Sequence, residues 1–198
     1  MNGFAQAPVI IGHRGAAGLQ PENTLPSFHA AVALGVQAIE LDVHVCGEEL
    51  VVIHDSSLER TTNGSGEVSR TDFTTLRQLD AGAGAQIPTL AEVIAVLPDH
   101  VGLNIELKGA GTAPVLAAWL PTPGQRQILV SSFDHDALTA FRRLRDDYPV
   151  APLFGRWKPD AVATAVDFGG GFINLSRKLA SRTRLEAIRT AGLKALIY

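Results

Sequence analysis

Several short apolar runs end on, or carry, side chains that can do chemistry. Val9 to Gly12 is followed by His13, Arg14 and Gly15. A histidine there can move protons near neutral pH. An arginine can grip a phosphate with its planar fork of donors, and a glycine lets backbone and ligand approach closely. Alone, the three could equally be a polar cap on a strand. Glu40 and Asp42 lie two apart inside Ala38 to Val43, so both side chains share one face if that run is extended. Two carboxylates on an otherwise apolar strand are costly to bury unpaired. A hard divalent cation would relieve that cost, and a salt bridge to arginine could do the same.

Two further runs extend the pattern. In Leu103 to Lys108, Asn104, Glu106 and Lys108 share a face by the two-residue period. Glu106 could be a third carboxylate ligand. Lys108 could oppose phosphate charge or simply pair with Glu106. His54 and Asp55 end the run Leu50 to Ile53. Two imidazoles can divide the cleavage of a phosphodiester, one removing a proton from the attacking oxygen and the other protonating the leaving oxygen. A metal on three carboxylates would polarise the phosphate. Asp55 could orient a neighbour or cap a turn. His44 shares the face of Asp42 by spacing but is read as a hairpin position. His29, His100 and His135 are read as structural or solvated, and Trp119 as a packing residue. Phe154 or Trp157 could line the pocket near the alcohol part of a substrate.

These residues need rigid elements to bring them together. Eight strands are expected, at Val9 to Gly12, Ala38 to Val43, Leu50 to Ile53, Leu103 to Leu107, Ile128 to Val130, Val150 to Phe154, Phe172 to Leu175 and Lys194 to Tyr198. Several are uninterrupted and β-branched, as strands buried on both faces should be. Helices fit Thr24 to Leu34, Leu90 to Leu97, Ala113 to Leu120, His135 to Arg145 and Asp160 to Val166. Thr89 with Glu92, and Thr183 with Glu186, have capping-box spacing. Eight strands with interposed helices point to an α/β protein with a TIM (β/α)8 barrel, with a doubly wound open sheet as the alternative. Strand ends of a barrel converge on one face, which would gather the groups named above.

Two features strain this scheme. The few residues around Cys46 to Glu49 cannot hold a crossover helix, and Gly47 reads as a hairpin turn. The sequence also stops at Tyr198 inside an apolar run, so the barrel is expected to end at its eighth strand with the final helix absent, and residues 1–198 to be a C-terminally incomplete barrel domain. Glu59 to Ile87 is rich in Gly, Thr and Ser, too polar for core, and could cover the mouth of the site or form a plain surface loop.

Composition narrows the function classes. The 198 residues are 46% hydrophobic, which fits one globular core. A formal net charge of -3 gives no general reason to expect nucleic-acid binding. Cys46 is the only cysteine, so no intramolecular disulfide can form and a multi-thiolate zinc site is excluded. Nothing reads as a signal peptide or membrane-spanning helix, so a soluble cytoplasmic protein without stable membrane insertion is expected.

The ordered motifs Gly12-His13-Arg14-Gly15, Pro21-Glu22-Asn23-Thr24, Glu40-Leu41-Asp42-Val43, Val52-Ile53-His54-Asp55, Arg60-Thr61-Thr62-Asn63-Gly64, Ile87-Pro88-Thr89-Leu90, Asn104-Ile105-Glu106-Leu107-Lys108 and Ser131-Ser132-Phe133-Asp134 resemble the glycerophosphodiester phosphodiesterase family. The resemblance runs from about residue 9 to the end. It implies a (β/α)-barrel that uses one divalent cation, Mg2+ or Ca2+, to hydrolyse small glycerol phosphodiesters to sn-glycerol 3-phosphate and an alcohol. It further implies that Glu40, Asp42 and Glu106 hold the metal and that His13 and His54 form the acid–base pair. Arg14 and Lys108 would contact phosphate, while Glu22 and Asn23 would buttress the mouth. The usual family mechanism is attack by the glycerol 2-hydroxyl, a cyclic phosphate, then opening by water. The turn Cys46-Gly47-Glu48-Glu49 departs from the usual family sequence, as does the end at Tyr198. A lysophospholipase D-type relative and a non-catalytic metal- or phosphate-binding module are the alternatives.

Overall fold

In the computed structural model, which describes residues 8–198, the apolar runs become strands and most pair in parallel. The strands are β1 (Ile11–His13), β2 (Ala38–Cys46), β3 (Glu49–Val52), β4 (Gly102–Leu107), β5 (Ile128–Ser132), β6 (Val150–Phe154), β7 (Phe172–Leu175) and β8 (Lys194–Ile197). Their order is β1-β2-β4-β5-β6-β7-β8, with β3 off this path and paired to β2. The helices are α1 (Leu25–Ala33), α2 (Phe73–Leu76), α3 (Leu90–Val96), α4 (Thr112–Trp119), α5 (His135–Leu144), α6 (Ala161–Asp167) and α7 (Arg182–Thr190). The result is an α/β fold with an open, incompletely closed (β/α) barrel. Its end strands β1 and β8 both line one cavity of about 570 Å3.

The expected hairpin explains the break in the path. β2 is long enough to serve three partners. Ala38 to Glu40 pair with β1, Ala38 to Val43 with β4, and Val43 to Cys46 with antiparallel β3. Gly47, at φ +62°, takes the first position of the two-residue turn, where a positive φ costs glycine little. The eighth strand of the sequence is therefore the seventh along the barrel path.

Helix ends follow their side chains. Thr24 caps α1 and Asp134 caps α5. Thr89 and Glu92 complete a capping box on α3. The second expected capping box does not form, because Ser181 caps α7 and Glu186 pairs instead with Arg182. Two arginines satisfy helix C-termini. Arg126 bonds the carbonyls of Leu97 and Pro98 beyond α3, and Arg145 bonds those of Ala117 and Leu120 at the end of α4.

The main core lies between the sheet and helices α1, α3, α4 and α5, around Phe28, Leu41, Leu103, Leu116 and Phe141. The segment from Glu59 to Ile87 carries more structure than its polar composition promised. It folds α2 over Cys46, Val51 and Ile53, burying Val68, Leu76 and Ile87 in a separate cluster. It returns alongside β3, where the Val52 N–H donates to the Pro88 carbonyl at 2.8 Å. Among the described residues no helix is long and apolar enough to cross a membrane.

Thr89 both ends this excursion and starts α3. Replacing it with alanine orphans the donor it caps, so Thr89→Ala is expected to destabilise the protein by about 1 kcal/mol. Urea unfolding, read as a lower midpoint at unchanged slope, checks this.

Candidate active site

The sheet register assembles the chemical groups. β1 pairs with β2 so that His13 stands opposite Glu40, and β2 pairs with β4 so that Asp42 stands opposite Glu106. Carboxylate oxygens of Glu40, Asp42 and Glu106 consequently lie within 4.8 Å of one another, all three residues buried. Burial, together with the charges of Asp42 and Glu106, holds the Glu40 carboxyl well above the ordinary range. Burial and Asp42 likewise raise Glu106.

Two cations enter this cluster. Arg14 Nε lies 3.4 Å from Asp42 Oδ2, and its backbone N–H donates to Glu40 Oε2 at 3.0 Å. Lys108 Nζ lies 2.8 Å from Glu106 Oε1 and 3.5 Å from Asp42 Oδ1. The ion pair of Glu106 with Lys108, one of the two readings open for that lysine, therefore exists inside the carboxylate cluster. Among the described residues, the buried Glu40 Oε1 has no hydrogen-bond partner. Three converging hard oxygen donors, one of them with an unused oxygen, fit a divalent cation such as Mg2+ or Ca2+.

Lys108 also reaches His54, with Nζ 3.1 Å from His54 Nε2. An ammonium only donates, so Nε2 is the acceptor and the neutral ring carries its proton on Nδ1. That proton faces Asp55 Oδ1 at 2.5 Å. His13 is the more open imidazole, its side chain 54% exposed, with Nε2 3.7 Å from Glu40 Oε2. Its pKa is lowered by partial burial and then by the Arg14 charge.

Glu22 and Asn23 sit where the mouth begins. Asn23 Nδ2 donates to Asp42 Oδ2 at 2.8 Å. Glu22 accepts from Arg14 Nη1 at 2.8 Å and from both terminal nitrogens of Arg60. Arg60 turns its other edge to Asp55, with Nε 2.5 Å from Oδ2. A continuous chain Arg14–Glu22–Arg60–Asp55–His54 thus links the end of β1 to the loop after β3. The Arg60 motif stood out in the sequence without a role, because its partner Glu22 is 38 residues away.

The backbone here is strained where the side chains matter. Arg14 and Asn23 both take positive φ, +54° and +57°; asparagine tolerates this conformation, whereas an arginine holds it only where its surroundings enforce it. The Asn23 N–H donates to the Arg14 carbonyl, as does Ser27 Oγ–H, at 3.1 and 2.9 Å. Gly15, at φ +81°, could not carry a side chain, since a Cβ would lie 2.5 Å from Ser27 Oγ.

Remaining expectations resolve simply. His29 and His100 are exposed. His135 packs edge-on against Phe154. Trp157 packs in a separate cluster around α6 and α7 with Arg184 over its ring. Trp119 is 38% exposed at the end of α4. Phe133, with Lys108 Nζ 5.8 Å from its ring centre, and Tyr198, edge-on to it, were missed because their proximity depends on the barrel's curvature.

The sequence model of the glycerophosphoryl diester phosphodiesterase family matches residues 13–198. The chain belongs to this family. Its membership makes it an enzyme of the phosphoric diester hydrolase type. YhdW of Bacillus subtilis is 35% identical over 209 residues, covering 96% of this chain and 84% of YhdW. The glycerophosphodiester phosphodiesterase of Caldanaerobacter subterraneus is 35% identical over 161 residues, covering 74% of this chain and 66% of the relative. Among solved structures, an Oleispira antarctica phosphodiesterase in complex with the product sn-glycerol-3-phosphate superposes with TM-score 0.91 at 29% identity, covering 100% of this chain and 87% of that one. The glycerophosphodiester phosphodiesterase of Agrobacterium tumefaciens gives TM-score 0.83 at 29% identity, covering 96% and 86%.

Arg60 is half exposed, so its ion pairs add little to global stability, at most about 1 kcal/mol. Their effect is local. Hydrogen bonding to Arg60, then to Arg14, holds the Glu22 carboxyl down at about 2. Arg60→Ala should let that carboxyl rise toward the ordinary carboxylate range, while the unfolding midpoint moves little. Carboxyl-detected NMR titration of the variant and parent measures both ends of this claim.

Proposed function

We propose that this glycerophosphodiester phosphodiesterase hydrolyses small glycerol phosphodiesters, such as glycerophosphocholine, to sn-glycerol 3-phosphate and an alcohol. Lys108 carries the reading. Its ammonium joins His54 Nε2 to Glu106 and Asp42 at one point, so proton transfer, phosphate charge and the carboxylate cluster meet there. The product named for the Oleispira antarctica phosphodiesterase supports the same substrate class.

Glu40, Asp42 and Glu106 would hold one divalent cation, Mg2+ or Ca2+. When bound, that ion supplies Lewis-acid polarisation of the phosphoryl oxygens. Arg14 and Lys108 bind and orient the phosphate, and Glu22 and Asn23 keep Arg14 and Asp42 in place. The glycerol 2-hydroxyl is the nucleophile, already tethered to phosphorus, which removes most of the entropic cost of attack. His54, its ring oriented by Asp55, takes the hydroxyl proton on Nε2 as Lys108 turns its N–H from that nitrogen to the phosphate. The P–O bond to the alcohol breaks as the new P–O bond forms. His13 in its protonated form gives its proton to the departing oxygen, and its lowered pKa makes that proton easily released. A cyclic phosphate remains. Water then opens the ring with the roles exchanged, His13 accepting a proton from water and His54 returning its own to the 2-oxygen.

Purified protein treated with chelator should release no glycerol 3-phosphate from glycerophosphocholine, and Mg2+ or Ca2+ should restore release. A lysophospholipid supplied in competition should be cleaved poorly; preferential lysolipid cleavage would overturn the substrate reading, and metal-independent release the cation reading. His13→Ala and His54→Ala should each lower kcat by about 10²–10⁴ with folding retained. A p-nitrophenyl ester of glycerol 3-phosphate has a leaving group that needs no protonation. Release of p-nitrophenol, which reports the first step alone, should be rescued in His13→Ala and stay slow in His54→Ala; the opposite pattern would reverse the assignment.

A further inference from the structure

His44 lies on β2, two residues beyond Asp42 and on the same face of the strand, yet its buried ring touches none of the three carboxylates through a hydrogen bond. It bonds two backbone groups of other strand ends instead. The Gly109 N–H donates to His44 Nδ1 at 3.3 Å. Nδ1 is therefore the acceptor, and the neutral ring carries its proton on Nε2, which stands 3.1 Å from the His54 carbonyl oxygen. One imidazole thus ties the backbone of His54, after β3, to the backbone beside Lys108, after β4.

A second observation fixes this arrangement sterically. A Cβ on Gly109 would lie 2.9 Å from His44 Nδ1. The absence of a side chain at 109 and the ring at 44 are matched to each other. The distance they control is the 3.1 Å contact between Lys108 Nζ and His54 Nε2, which no covalent neighbour enforces across 54 residues of chain.

We infer that His44 is a positioning residue, a clamp that sets His54 and Lys108 in mutual register for proton transfer while touching neither substrate nor ion. The inference rests on the roles proposed above for His54 and Lys108. Its two arms predict different rescues. A glutamine at 44 can return an N–H to the His54 carbonyl, whereas an asparagine can return an acceptor to the Gly109 N–H.

The test uses the metal-supplied protein with glycerophosphocholine. A misplacement near 1 Å at a reacting group costs about a hundredfold, so His44→Ala should lower kcat about tenfold to a hundredfold. KM should rise by less than kcat falls, since Lys108 also binds phosphate, and the cation concentration for half-activation should stay within about threefold, since His44 hydrogen-bonds none of the carboxylates. His44→Gln should recover most of the loss and His44→Asn less. Gly109→Ala should mimic His44→Ala in the parent yet cost nothing further in the His44→Ala background, as groups in contact are non-additive. Wild-type kcat in His44→Ala, no recovery by glutamine, or losses that multiply in the double variant would each overturn the clamp. Imidazole 15N NMR of the parent protein gives a readout independent of activity. His44 protonated on Nε2 and His54 on Nδ1 support the clamp even if glycerophosphocholine is not the substrate; the opposite tautomer at His44 removes it.

Discussion

Three buried carboxylates within 4.8 Å set the terms for everything around them. At an effective dielectric near 20, each fully charged pair at that spacing repels by about 3 kcal/mol. The fold answers with Arg14 from the end of β1 and Lys108 from the end of β4. This answer dictates topology. Asp42 and Glu106 can meet only if β2 and β4 are adjacent, although β3 lies between them in sequence. A strand inserted between them would separate the two carboxylates by about 10 Å. The hairpin at Gly47 resolves this by peeling β3 onto the second half of β2, leaving the first six residues of β2 free to pair with β4.

The same constraint shapes the mouth. Arg14 must present its side chain to Asp42 and Glu22 while its backbone N–H faces Glu40, and the left-handed conformation achieves both. Strain of that kind costs of order 1–3 kcal/mol per residue and persists only where neighbours enforce it. Asn23 and Ser27, both bonded to the Arg14 carbonyl, are those neighbours, and Gly15 makes room for Ser27. Arg60 then extends the network to Asp55, so the polar excursion after β3 is anchored at its inner end by charge and along its length by its own apolar cluster.

Much of this was legible in the sequence because strand geometry is local. A two-residue period puts Glu40 with Asp42, and Glu106 with Lys108, on common faces whatever the tertiary fold. Strand ends marked by His13 and His54 follow from the boundaries of apolar runs. What escaped depends on distance along the chain or on competition between near-equal local options. Arg60 finds Glu22 across 38 residues. His44 looked like one more hairpin position, since its spacing says which face it occupies and nothing about the two backbones that meet there. Ser181 displaced Thr183 as the α7 cap because either hydroxyl could begin that helix. The cluster around Leu76 and Val68 was hidden by averaging apolar residues with the Gly, Ser and Thr between them.

Charge bookkeeping at the cluster connects fold to function. Glu40, Asp42 and Glu106 would together carry three negative charges against two positive charges from Arg14 and Lys108. Burial and the charges of Asp42 and Glu106 raise the Glu40 carboxyl, the direction that eases this excess while no ion is bound. With all three carboxylates ionised, a divalent cation on these oxygens would turn the local balance from one negative charge to one positive. A phosphodiester brings a single negative charge. A loaded site would therefore match the charge of the proposed substrate, which the ion-free carboxylates would not. In the proposed mechanism Arg14 and Lys108 would serve both conditions, screening the carboxylates in one and facing phosphate in the other, a double task that suits side chains held by Glu22, by Glu106 and by the surrounding backbone.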